Sequence, residues 1–298
     1  MYTKPIRTQI YADLTQINAD GFYPRPSVCN PRVSALKFRF PKKKLGQNFL
    51  SDKNIQRKII AACELKASDI VIEIGAGRGE LTKCIADNAA KVYAIEIDSY
   101  LCQLLKDKFR DNAHVKIINQ DILGFNLSRC FVKDKNTAIK AIGNIPYYIT
   151  TPIIEHLIKY RDKIETIFIT VQKEFAKRMT ARPGGKDYGS FSCFIQYYTE
   201  PKIIFTIKKT SFFPVPKVDS CFLRLNIRKK PMIKLKNERM FFKIIRAAFN
   251  QRRKTLRNSL DSVISPQNLD RFFTRYNINP NIRPEELTLK DFAGLASI

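Results

Sequence analysis

The sequence predicts an α/β fold: a doubly wound, mostly parallel sheet of about seven strands, followed by a small α-helical region. Three observations predict it. From Leu45 onward, short apolar runs alternate with stretches of helical periodicity. A glycine-rich turn leaves the first of those runs and opens a helix. After Lys229 the strand pattern stops and only helical spacing remains.

Taken in order, Ser51 or Asp52 can cap a helix whose apolar positions Ile55, Ile59 and Cys63 recur at helical spacing. Residues 69–74 form a short apolar run that breaks into glycines, as a buried parallel strand does. Residues 81–89 read as a helix, 92–97 as a second strand, 100–109 as a helix and 115–118 as a third strand. Residues 138–143 read as a fourth strand, 152–160 as a helix and 164–171 as a fifth strand, with further strands at 203–207 and 220–227. Helices are expected at 240–249, 252–260 and 268–276. The expected organisation is a poorly ordered extension over 1–40, a catalytic body over 41–228 and a basic helical domain over 229–298.

Composition narrows the function. The chain carries 53 Lys and Arg against 27 Asp and Glu, a net charge of +26, which favours a polyanionic partner. The excess is uneven: residues 201–298 hold 21 basic and 7 acidic side chains, and residues 1–44 hold 9 and 2. The middle is close to balance, so the pattern is that of a catalytic body with basic additions at both ends. The 7 cysteines are scattered with no C-x-x-C pair, and there are only 2 histidines. That composition speaks against a disulfide framework, a zinc site or a Ser-His-Asp apparatus, and no metal is expected. No apolar run approaches the roughly 20 residues that span a bilayer, so no membrane association is expected. Cysteine usage and the lack of a secretory segment suggest a reducing cytosol.

Glu73-Ile-Gly75-Ala-Gly77-Arg-Gly79 has glycines where backbone must approach a ligand closely. Position 80 is Glu, so the G-x-G-x-x-G dinucleotide fingerprint is not met. Glu96 ends the next strand about twenty residues on, where a carboxylate can accept from a ribose, and Asp121 follows the third strand, where one can accept from an adenine amine. Together these predict a pocket for a nucleoside cofactor.

The fourth strand runs into Gly143-Asn144-Ile145-Pro146-Tyr147-Tyr148. The lone pair of an adenine exocyclic amine is delocalised into the ring, so the amine is a poor nucleophile. Acceptors on its N–H bonds, the Asn144 side-chain oxygen and a backbone carbonyl such as that of Ile145, can localise that pair and aim it. Tyr147 offers an aromatic face to an unpaired or flipped base.

These motifs, with Leu45–Leu50, Gln172-Lys-Glu174, Tyr188-Gly189 with Ser192, Phe212 through Pro216-Lys-Val-Asp-Ser220, and the stretch 249–260, resemble the small-subunit ribosomal RNA adenine dimethyltransferases of the KsgA (RsmA) type. The resemblance covers nearly everything from Lys44 to about Leu260. It implies a Rossmann-like class I methyltransferase sheet, S-adenosyl-L-methionine as cofactor, and N6,N6-dimethylation of two adjacent adenines in a hairpin near the 3′ end of 16S rRNA. The implied partner is an assembling small ribosomal subunit, met by a monomeric enzyme. Carried over by position, the resemblance implies that Asn48 and Leu50 reach the cofactor from the N-terminal loop. Gly75, Glu96, Asp121 and Asn144 are implied to line the same pocket. Phe212 is implied to stack on the target base opposite Tyr147, with Phe213 adjoining it and able to take that role. The chain departs from the family's common pattern at Tyr148, where Asn is usual, and at Thr150, where Ser is usual.

Gln251, Arg252, Arg253, Lys254 and Arg257 would form a basic face for RNA phosphates. Two other readings stay open: a 23S rRNA methyltransferase of the erythromycin-resistance type, and a non-catalytic RNA-binding assembly factor on the same scaffold. Tyr188-Gly189 and the Gln-Arg-Arg-Lys block favour the small-subunit enzyme over the first, and the intact Asn144–Tyr147 stretch speaks against the second.

Overall fold

The computed structural model describes residues 46–130, 139–251 and 254–298. The expectations for residues 1–40 and for Arg252 and Arg253 therefore lie outside the described residues.

The described chain opens on β1 (Phe49–Leu50) and enters α1 (Lys53–Ala62) through Asp52, whose carboxylate accepts the amides of Asn54 and Ile55. There follow β2 (Ile70–Ile74), α2 (Glu80–Ala86), β3 (Lys91–Glu96), α3 (Ser99–Lys108) and β4 (Val115–Asn119). Then come β5 (Ile139–Asn144), α4 (Thr150–Ile158) and β6 (Ile164–Gln172). Two helices that the periodicity did not announce, α5 (Lys173–Thr180) and α6 (Ser190–Tyr198), lead to β7 (Thr199–Ile207). The short β8 (Phe212–Phe213) and β9 (Ser220–Ile227) complete the strands. The helical remainder is α7 (Glu238–Asn250), α8 (Leu256–Leu260), α9 (Pro266–Tyr276) and α10 (Leu289–Ala296), the last also unannounced.

Seven strands form one sheet in the order β4-β3-β2-β5-β6-β9-β7. β9 runs antiparallel to both neighbours, and the other pairings are parallel. The chain builds outward from β2 through β3 to β4, then crosses back to place β5 on the other side of β2. This reversal opens a crevice beyond the carboxyl ends of β2 and β5, where ligands of doubly wound sheets bind.

The inner strands are buried on both faces because helices cover both. Every residue of β2 is buried, and so is every residue of β3 after Lys91. One apolar cluster joins Ile72, Ile95, Ala141 and Ile169 of the sheet to Phe241, Phe272 and Phe292 of the C-terminal helices. The helical region thus shares its core with the sheet. At the amino ends of the central strands, buried Lys140 at the start of β5 makes a 2.8 Å ion pair with buried Asp69. Its ammonium also donates to the carbonyls of Cys63 and Glu64 at the end of α1.

A second, two-stranded sheet pairs β1 with β8, setting Phe49 opposite Phe213 and Leu50 opposite Phe212. Ser51 N–H donates to the Ser211 carbonyl at 2.9 Å and continues the pairing. This ribbon joins residues 160 apart in sequence beside the crevice.

Candidate active site

The glycine turn between β2 and α2 sets the floor of the crevice. Gly79 sits at φ +75°, and a Cβ there would lie 2.6 Å from Leu105 Cδ2 and 2.9 Å from the Phe109 ring. The turn is therefore pressed against α3 and its neighbouring residue, and only glycine fits. At Gly77, φ +59°, a Cβ would meet the Phe49 ring at 3.2 Å. Phe49 in turn carries the Arg78 guanidinium 4.8 Å from its ring centroid. Floor and ribbon are thus in direct contact.

Between them lies a cleft of about 300 Å³. Its lining includes Leu50, Glu73, Gly75, Gly77, Asn144 and Phe213. Asn144 lies across from Gly75, where a Cβ would approach its carbonyl oxygen at 3.7 Å. The Asn144 amide nitrogen donates to the Asn48 carbonyl at 2.8 Å. A carbonyl can only accept, so this bond fixes the amide's orientation and leaves the Asn144 side-chain oxygen as the available acceptor. Leu50 is held in place by its own carbonyl, which accepts from the buried Gln56 side chain at 2.7 Å.

Glu96 is buried under the turn rather than in the cleft lining. Its carboxylate oxygens accept the amides of Gly77 and Asp98, each at 2.9 Å. Burial raises its pKa above the ordinary value, against those two amide bonds. Asp121 stands beyond β4, beside the Glu96 strand end, and one of its oxygens accepts the Leu123 amide at 3.0 Å. Asn48 contributes backbone to the site, as acceptor for Asn144, while its side chain donates to the Gly46 carbonyl at 3.3 Å. Tyr147 shares a 2.6 Å hydrogen bond with Ser220 at the start of β9, which anchors the phenol end of its ring. Burial pushes that phenol's pKa up.

Phe212 requires a correction. Its side chain is 2% exposed, packed with Leu50, Ile59, Ile207 and Phe222 in a core cluster, so it does not reach the cleft. Phe213, one residue on, is 53% exposed and lines the cleft. Successive strand residues point to opposite faces, so a single step in register decides which phenylalanine meets a ligand.

Sequence reasoning missed two features. Glu73, the first residue of the glycine motif, is buried in the cleft wall, and its Oε2 has no hydrogen-bond partner among the described residues. Burial pushes its pKa up to about 8. Ile97 is 51% exposed directly after Glu96, and Leu123 is also exposed, two residues after Asp121. Large apolar side chains left open beside two strand-end carboxylates suit the faces of an aromatic base. The available signal was their position one and two residues behind the acidic residues.

A family profile described as Ribosomal RNA adenine dimethylase matches residues 39–298. A Streptococcus thermophilus protein named Ribosomal RNA small subunit methyltransferase A is 42% identical over 262 residues, covering 86% of this chain and 90% of the relative. The chain belongs to the ribosomal RNA adenine dimethylase family. Among solved structures, a dimethyladenosine transferase from Plasmodium falciparum superposes with a TM-score of 0.69 at 27% identity, covering 83% of this chain and 95% of that one. The 23S rRNA methyltransferase ErmE superposes with a TM-score of 0.65 at 24% identity, covering 84% and 98%, a likeness of fold. Membership in the dimethylase family accords with a cleft that offers a held carboxamide oxygen and an exposed aromatic ring.

Proposed function

We propose that this chain transfers methyl groups from S-adenosyl-L-methionine to the N6 amines of two adjacent adenines in a hairpin near the 3′ end of 16S rRNA, within an assembling small ribosomal subunit. The observation that carries the proposal is the Asn144 carboxamide, turned by its 2.8 Å bond to the Asn48 carbonyl so that its oxygen is the free acceptor at the cleft. The small-subunit substrate is supported by the name of a relative at 42% identity, whereas the likeness to ErmE is one of fold.

The residues fit the cofactor. The left-handed glycines Gly75 and Gly77 let main chain approach a ligand, and the unpartnered oxygen of buried Glu73 provides a polar contact inside the cleft. Glu96 and Asp121 supply carboxylates at adjacent strand ends, with Ile97 and Leu123 as apolar faces beside them. When bound, the cofactor supplies a methyl group on a sulfonium leaving group.

The protein's own task is to present the amine. Asn144 accepts one N–H of the target amine and draws electron density back onto the nitrogen, and the Ile145 carbonyl is assigned the other N–H. Tyr147, anchored through Ser220, and Phe213 hold the base between aromatic surfaces. No strong base is required, because the departing sulfide is neutral and the amine proton can pass to water after transfer. Orientation supplies most of the rate. We take the working species to be a monomer, acting in the cytosol where small subunits assemble.

Mass mapping of rRNA methylation in cells with and without the protein tests the proposal. The expected result is loss of two adjacent dimethyladenines from the small-subunit RNA alone. A change confined to the large-subunit RNA, or no change, overturns it.

A further inference from the structure

Away from the cleft, the segment 233–237 ahead of α7 runs beside α10 and the end of α9. The three enclose a groove of about 310 Å³. Its apolar lining includes Ile233 and Leu235, and Tyr276 contributes an aromatic wall that is 38% exposed. Tyr276 sits tight against α10: a Cβ on Gly294 would fall 2.7 Å from its Cζ. Lys234, Lys236 and Lys290 line the groove as well, all exposed, and no Asp or Glu is in the lining. None of these three ammonium groups has a hydrogen-bond or ion-pair partner among the described residues.

We infer that this groove is a second RNA contact, holding a single-stranded segment of the substrate with its phosphates on the three lysines and a base against Tyr276. The inference rests on the reading of the substrate as ribosomal RNA. Three unpaired cations around a partly apolar hollow are complementary to a phosphodiester with its base turned inward. An aromatic wall gains from base stacking without demanding a sequence. The volume is at the small end of ligand pockets and suits one or two nucleotides rather than a folded partner. The groove is separate in sequence from the basic stretch around Lys254 and Arg257, so it adds a further anchoring point for a substrate that must be held while its target bases are presented.

The test is the salt dependence of binding between the full chain and naked RNA carrying the 3′-terminal hairpin and its flanking strands. Three proteins are compared: wild type, a groove variant with Lys234→Ala, Lys236→Ala and Lys290→Ala, and a control with Lys66→Ala, Lys163→Ala and Lys202→Ala. The control removes the same charge from exposed positions elsewhere. In the groove variant, the slope of log affinity against log salt is expected to flatten by about 2 to 3, with weaker binding at low salt and an unchanged thermal midpoint. The control is expected to change the slope by much less. Equal flattening in both variants means only the overall field was changed, and overturns the inference. So does a wild-type slope in the groove variant, even if binding to whole ribosomal particles falls, since that result assigns the groove to a protein partner. Methylation by the wild type of small subunits taken from cells lacking the protein is scored separately, and its failure counts against the enzymatic reading instead.

Discussion

At the scale of single residues, Asn144 makes one bond and is proposed to make a second with the opposite demand, and substitutions test the pair. Its nitrogen donates to the Asn48 carbonyl, while its oxygen is the atom proposed to accept from the substrate. Asn144→Ala removes both and is expected to lower methyl transfer by about 100-fold or more, the scale of losing one positioned transition-state partner. Asn144→Asp keeps an acceptor but sets a carboxylate against the Asn48 carbonyl. Single-turnover rates are expected to fall in both variants, and wild-type turnover in either would refute the role. The neighbouring phenylalanines give a second dissociation. Phe212→Ala empties a core site and is expected to cost about 3 to 5 kcal/mol in chemical denaturation. Phe213→Ala, at an exposed ring, is expected to cost well under half of that while raising the KM for RNA. That Asn144 borders the cleft was legible because it ends a recognisable strand. The choice between two adjacent phenylalanines was not, because it depends on the register of a strand pair that local sequence does not encode.

At the scale of elements, most of the parallel sheet was legible from apolar runs bounded by turns, and residues 220–227 were found at their observed limits. Helix α6 was not, because Ser-Phe-Ser-Cys-Phe-Ile-Gln-Tyr-Tyr is rich in residues that favour strands. It is helical because Ser192 accepts the Gly189 amide at its start and five of its residues are buried against the sheet and α7, so packing overrides propensity. The β1–β8 ribbon was invisible for a related reason: two residues carry no periodicity, and the partner lies far along the chain. Lys140 shows how elements are tied at the strand ends away from the cleft. Its ammonium serves Asp69 and two carbonyls ending α1, where positive charge also complements the helix dipole. Lys140→Met leaves the buried Asp69 charge without its cation and is expected to destabilise by about 3 to 5 kcal/mol in urea unfolding. Adding Asp69→Asn is expected to recover part of that loss. Equal stability of wild type and Lys140→Met would place the pair among indifferent contacts.

At the scale of the whole molecule, Glu73 ties stability to pH. Its folded-state pKa of about 8 lies above the ordinary 4.5, with burial as the leading cause. Between those values the folded protein holds a proton that the unfolded chain has released, so stability from this group is complete below about 4.5 and declines as pH rises toward 8. Glu73→Gln is expected to flatten the Tm-against-pH curve across that window, as read by calorimetry. An unchanged curve would place the origin of the slope elsewhere. The molecule-wide charge of +26 was plain in the sequence, but where its unpaired lysines converge was not. Lys234, Lys236 and Lys290 become neighbours only once α10 has folded back beside the segment ahead of α7.

The ribbon of β1 and β8 carries Phe49, seated on the glycine turn, and Phe213, open to the incoming base, on facing positions of a single two-rung ladder. If the ribbon moves as one piece, tightening it around a methyl donor also sets the shape offered to RNA. Thermodynamic reciprocity then requires that each ligand change affinity for the other by the same factor, and a shared ribbon predicts that the change is a gain. Titrating RNA with and without a non-reactive donor analogue, and the analogue with and without RNA, should return one common ratio above unity. A ratio of one would mean that the plate joining the two substrates bends at its middle.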